Sequence, residues 1–238
     1  MKTKDRILPY SLLILGIILI LTNSCKKDEA NNNPASITDK DGNVYTSVTI
    51  GTQTWMVENL KTTKFNDGNQ ITNGTDNTAW SSLTNALYCW YDNDISRKTP
   101  YGALYNYSTV ASGKLCPDGW HVPSNTDLNT LISFLGGEGV AGGKLKESGT
   151  AHWQAPNSGA TNEYGFTALP GGKRESVDGG VGGGFGSIGQ IGWYWAIDKS
   201  GSGTTLRYLF NLSTSLTLSP STYDAAKTMG CAVRCMKD

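Results

Sequence analysis

From residue 138 to the C-terminus the chain is broken into short runs. FTALPGGKRE, GWYWAID, LRYLFNLS and GCAVRCMKD are each bounded by glycine, serine or proline, the residues that punctuate regular elements. These runs are rich in aromatic and branched residues and too short for helices of ordinary length. Short strands, and no helix of ordinary length, are expected in this half. With 29 glycines in 238 residues and aromatics at 10%, the composition suits a loop-rich fold.

The first half holds the helix signals. In LCPDGWHVPSNTDLNTLISFLGG, Ser124 stands three residues before Asp127, a capping arrangement with aspartate in the usual glutamate position. Leu128, Leu131, Ile132 and Leu135 follow at helical spacing, and Gly136-Gly137 stop the helix. A second short helix is expected over Tyr101–Ser112, with Leu104, Tyr107 and Ser108 on one face. Residues 37–60 read as a β-hairpin: Val44, Thr46, Val48 and Ile50 alternate, Asp41-Gly42 and Gly51 supply turns, and Trp55 lies in the second strand. ALYCWYDND reads as a strand carrying Cys89 inward. Two short helices followed by glycine-punctuated short antiparallel strands define an α+β class.

The amino terminus is of a different kind. Met1 to Arg6 carries three basic residues, and Ile7–Leu21 is a run of 15 without charge. About 20 apolar residues are needed to span a bilayer, so a signal sequence is favoured over a permanent membrane helix. Leu21-Thr22-Asn23-Ser24 before Cys25 resembles a bacterial lipobox, with Thr22 departing from the usual aliphatic residue. The resemblance implies cleavage before Cys25 and lipid on its thiol. KKDEANNNPAS then reads as a tether without apolar periodicity, and a charged segment there resembles the export signal of Bacteroidetes-type surface lipoproteins. The expected organisation is a lipoprotein signal peptide over 1–24, a flexible tether over 25–36 and one domain over 37–238. The expected location is the outer membrane, lipid-anchored and surface-exposed. Cleavage would remove Lys2, Lys4, Arg6 and Asp5, leaving 17 basic and 19 acidic residues. No basic patch stands out, which argues against nucleic acid as a partner.

Four further cysteines, Cys89, Cys116, Cys231 and Cys235, are an even number in an exported chain and favour disulfides, with three pairings open. A zinc site at Cys231-x-x-x-Cys235 lacks a second close ligand pair. Asp92 and Asp94 are weak calcium candidates, since the loop lacks further ligands and a closing glutamate. Gly184-x-Gly186-x-x-Gly189 matches a dinucleotide-binding pattern but precedes a strand-like run where a helix is required. His121 and His152 have no local nucleophile arrangement. No cofactor or metal is expected. In Trp193-Tyr194-Trp195, alternation sends the two tryptophans to one face and Tyr194 to the other. All three are ligand-binding candidates, since an exposed aromatic face can stack on a sugar ring; the competing expectation is that the tryptophans fill the core and Tyr194, with the glycine-rich loop, reaches the ligand.

Several phrases in order, TWMVENLKTTKFNDG, YGALYNYSTV, LCPDGWHVPSNTDLNTLISFLGG, AGGKLKESGTAHW, NEYGFTALPGGKRE, GWYWA and AVRCMKD, resemble the Fibrobacter succinogenes major paralogous domain from about Tyr45 to Asp238. GWHVPS before an acidic helix, the Trp-rich late strand and the terminal VRC also resemble the C-type lectin-like fold. That resemblance implies a Cys116–Cys235 disulfide. Cys231 stands where the family usually has an aromatic residue, which suggests an additional Cys89–Cys231 bond. The implied function is a non-catalytic binding or adhesion domain for a glycan or protein ligand. The alternative implied by the fold is an enzyme resembling formylglycine-generating sulfatase-modifying oxidases, which use a cysteine pair.

Overall fold

The computed structural model describes residues 36–80, 84–175, 177–178, 181–197, 204–211, 213–218 and 227–238. The candidate signal peptide, Cys25 and nearly all of the tether lie outside these residues, and the folded unit is Pro34–Asp238. No described helix is long and apolar enough to cross a membrane.

In chain order, β1 (Ile37–Thr38), β2 (Val44–Tyr45), β3 (Ser47–Ile50), β4 (Gln53–Met56) and β5 (Thr72–Asn73) precede α1 (Asn77–Trp80) and β6 (Leu87–Cys89). Two 3-10 turns, Tyr91–Asn93 and Ile95–Arg97, lead to α2 (Lys98–Tyr101), β7 (Leu104–Tyr105), α3 (Tyr107–Ala111), β8 (Trp120–His121), α4 (Asn125–Phe134) and α5 (Glu138–Leu145). The rest is β9 (Gly171–Arg174), β10 (Val177–Asp178), β11 (Val181–Gly182), β12 (Phe185–Ile188), β13 (Ile191–Ile197), β14 (Thr204–Phe210), β15 (Leu216–Leu218) and β16 (Met236–Lys237). The main sheet has the order β12-β9-β13-β14-β15; β3-β4-β16-β8 and β5-β6-β7 form smaller sheets, and β1-β2 and β10-β11 are two-stranded. The class is α+β, and most pairings are antiparallel. Two are not: β13 runs parallel to β9, and β5 parallel to β6.

The capping arrangement at Ser124 is present in full. Its hydroxyl accepts from the Asp127 amide, and the Asp127 carboxylate accepts from the Ser124 amide. Elsewhere local signals lose to long-range packing. The helix expected over Tyr101–Ser112 is two pieces around β7. Gly102, at φ 78, lies too close to Asn59 and Leu60 for a side chain. Asn106 then starts α3 afresh by accepting from the Thr109 amide. A helix also forms after residue 138, against expectation. Gly142 and Gly143 of α5 press against the backbone of Thr214, Ser215 and Gly159. Close approach to the sheet therefore offsets their low helix propensity. The described residues thus contain three helices of five or more residues, α3, α4 and α5, where two were expected. The expected single hairpin over 37–60 is two pairings, β1 with β2 and β3 with β4, and in β2 it is Tyr45, not Val44, that turns inward.

Two cores flank β13. Trp193 and Trp195 enter the first with Met56, Val233 and Cys235; Tyr194 and Ala196 enter the second with Trp55, Leu131, Phe166 and Met236. A strand covered on both faces has no solvent side. Each large ring removes 150–250 Å² from water, so its burial contributes at most about 4–6 kcal/mol. Trp195 donates to the Tyr105 carbonyl at 2.7 Å, which satisfies its buried N–H. Among the described residues three cations are also buried: Lys146, Arg174 and Arg234. Lys146 donates to the carbonyls of Ser158 and Ser213, both at 2.9 Å. Arg174 donates to the carbonyls of Gly74, Thr75 and Gly183 and lies 4.4 Å from the Trp80 ring centre, pinning loops that have little apolar surface of their own.

Candidate functional site

The residues singled out in β13 are not a contact surface. Trp193, Tyr194 and Trp195 are all buried. The Tyr194 hydroxyl both donates to the Leu169 carbonyl and accepts from the Leu169 amide, each at 3.1 Å. Alternation sorts the three rings as expected, but the face assigned to Tyr194 is the second core. The glycine pattern at 184–189 lies largely within β12, which pairs with β9 and is followed by β13; no helix N-terminus meets it. Gly179 and Gly180 of the adjoining loop lie outside the described residues.

The cysteines divide in two. Cys116 and Cys235 are bonded. Cys89 and Cys231 are free and buried, which corrects the expected second bond. Cys89 pairs with Leu104 and Cys231 with Tyr105. Neighbouring residues of a strand point to opposite faces, so the two thiols diverge. Burial pushes both thiols up, Cys89 to about 12, so each stays protonated. The cysteine pair that the oxidase alternative requires is therefore tied in a disulfide in one case, and separated and buried in the other.

Asp94 is already committed. It accepts from the Ser96 amide at 2.9 Å and hydroxyl at 2.6 Å, which lowers its carboxyl below the usual range. Among the described residues no group of three His, Cys, Asp or Glu is arranged to hold a metal ion. Around His121, Nδ1 lies 2.6 Å from Asp238 and Nε2 3.3 Å from Asp127. Burial alone would raise the Asp127 carboxyl, but hydrogen bonds from Ser124 and His121 outweigh it and hold it low. Ser124 directs its hydroxyl proton to Asp127. It is not paired with His121 as an activated nucleophile would be.

What the fold does assemble is an open cleft of about 330 Å³ beside β8 and β16, within the usual size range of small-ligand sites. Trp120 and Lys237 are direct cross-strand partners, so both side chains stand on one face, and both line the cleft. Trp120 is half-buried and Lys237 exposed. Leu115 and Pro117 form an apolar wall, and Asn66 and Lys64 line it as well. Cys116, between Leu115 and Pro117, is bonded to Cys235, two residues before Lys237. The disulfide therefore ties one wall of the cleft to the strand forming another. Two charged residues are partly neutralised: Lys40 meets Asp118 at 3.4 Å, and Lys64 meets Asp41 at 3.3 Å. Sequence reasoning missed this site. Trp120 has no local signal separating it from the core tryptophans, and its partner is 117 positions away.

The site and fold define a small, disulfide-tied α+β domain with an open cleft. Residues 48–237 match the Fibrobacter succinogenes major domain, and the chain belongs to that family. No curated protein and no solved structure matches it.

Proposed function

We propose that this chain is a lipid-anchored envelope protein whose domain is a non-catalytic binding module, and that the cleft beside Trp120 takes a saccharide. The anchor is Cys25, and the location is the outer membrane with the domain at the cell surface. The observation that carries the reading is the pairing of the half-buried Trp120 ring with polar side chains left unoccupied within the fold. Its indole N–H, the Asn66 side-chain carboxamide and the Lys237 ammonium have no hydrogen-bond or ion-pair partner among the described residues. A ring face stacks on the apolar face of a sugar, and free amide and ammonium groups fix its hydroxyls. A C-type lectin-like arrangement is consistent with the terminal strand β16 pairing with β4 and with the Cys116–Cys235 bond. No observation favours the oxidase alternative.

A glycan array probed with the mature chain tests this reading. Binding that Trp120→Ala lowers at least tenfold, with the melting temperature held within a few degrees, supports it. An array on which the wild-type chain binds no saccharide overturns it. Mass spectrometry of the native protein tests the anchor: the expected first residue is an acylated Cys25.

A further inference from the structure

The second core contains a cavity of about 30 Å³ lined by residues that are all buried, among them Trp55, Phe166, Tyr194 and Arg234. The chain pairing explains why Trp55 and Arg234 meet there. Met236 pairs with Trp55, and the Met56 amide donates to the Cys235 carbonyl. Met56, Val233 and Cys235 face the first core, whereas Trp55 and Met236 face the second. Arg234 has the parity of Met236 in the extended terminal segment, and its guanidinium carbon lies 4.3 Å from the Phe166 ring centre.

Arg234 is 2% exposed and Trp55 1%. The Arg234 terminal nitrogens donate to the carbonyls of Phe166 and Thr167 and to the Asn59 amide oxygen. No carboxylate of the described residues forms an ion pair or hydrogen bond with it. The acidic group whose field reaches it is Glu58, and that carboxylate is occupied by Thr46. Two N–H groups of its lining residues have no hydrogen-bond partner among the described residues: Arg234 Nε and Trp55 Nε1. A buried donor without an acceptor costs about 1–3 kcal/mol, and more when it is charged. Two such donors on residues that line one void are a demand for an occupant.

The chemistry of the walls selects that occupant. The volume admits one water or one monatomic ion. A water accepts from both donors but must place its own two protons. The remaining walls are leucines, a proline and aromatic rings, and the Tyr194 oxygen is already engaged with Leu169. An anion accepts from both donors, has no proton to place, and neutralises a guanidinium that has no carboxylate contact. We infer that the cavity between Trp55 and Arg234 is an internal halide site, filled by chloride under physiological conditions.

The test uses bromide as the probe, on the mature full-length chain. Crystals grown in sodium bromide are expected to give an anomalous peak in the cavity, within hydrogen-bonding distance of Trp55 Nε1 and Arg234 Nε. In solution the melting temperature should rise saturably by about 2–4 °C in sodium bromide over sodium gluconate at equal ionic strength. Trp55→Phe removes one donor while keeping an aromatic wall, and should flatten that rise at least threefold. A cavity that is empty, or that holds water with no anomalous signal, overturns the inference. So does a melting temperature that does not distinguish the two salts.

Discussion

Cys89 and Cys231 pair with adjacent residues, Leu104 and Tyr105, and yet their thiols enter different cores. The pleat alone forbids the bond that an even cysteine count suggests. The globular part should therefore release two thiols to a thiol reagent in denaturant at pH 8 and none when native. Release of zero in denaturant would mean that the pair is oxidised. The folded thiols titrate above the ordinary range, so the unfolded chain loses these protons first as pH rises. Their stabilising contribution is complete below about pH 8.5, and it declines as pH climbs toward the raised folded values.

The Cys116–Cys235 bond spans 119 residues. In the chain-entropy account a loop of that length stabilises by about 4–5 kcal/mol. The Cys116→Ala/Cys235→Ala double variant should lose stability of that order in urea denaturation. Because the bond ties two walls of the cleft, its ligand affinity should fall as well, even at temperatures where the variant remains folded.

Gly142 and Gly139 share α5 but sit in opposite surroundings. A methyl group on Gly142 would overlap the Ser215 carbonyl, whereas Gly139 has open space around it. Gly142→Ala should destabilise by more than about 2 kcal/mol, since backbone blocks relaxation. Gly139→Ala should stabilise by about 0.5–1 kcal/mol through helix propensity. Thermal denaturation of both variants checks the pair, and equal shifts would contradict the packing of α5 on the Thr214–Ser215 backbone.

Burial holds the Lys146 ammonium down to about 8, against about 10.4 in an unfolded chain. Between these values the unfolded chain binds the proton and the folded one does not. The contribution of Lys146 to stability therefore rises with pH across that window, and below pH 8 its full penalty applies. The difference is at most about 3 kcal/mol. Subtracting the stability profile of Lys146→Met from that of the wild type isolates this group, because the two cysteines cancel. A flat difference between pH 8 and 10.5 would remove the assignment.

Sequence reasoning reached what is local. The Ser124–Asp127 cap, the apolar stripe of α4 and the alternation of Trp193, Tyr194 and Trp195 follow from spacing over a few residues. Which side of β13 meets water did not, because that depends on α4, α5 and the terminal strand covering its second face. The helix at Glu138–Leu145 was hidden for a related reason: its glycines are bad helix formers and are there for what they pack against. The cleft was illegible because Trp120 and Lys237 become neighbours only when the last strand pairs with β8.

Ser36 and Lys237 line the same cleft, so the domain begins and ends beside its own mouth. Cys25 is eleven residues before Ser36, a span of at most about 36–40 Å when drawn out straight. If Cys25 carries the proposed acyl chains, a ligand in the cleft would be held within a short radius of the lipid headgroups. On the proposed reading, such a protein would work at close quarters, clasping polymers that already lie along the cell rather than fishing for them in the medium.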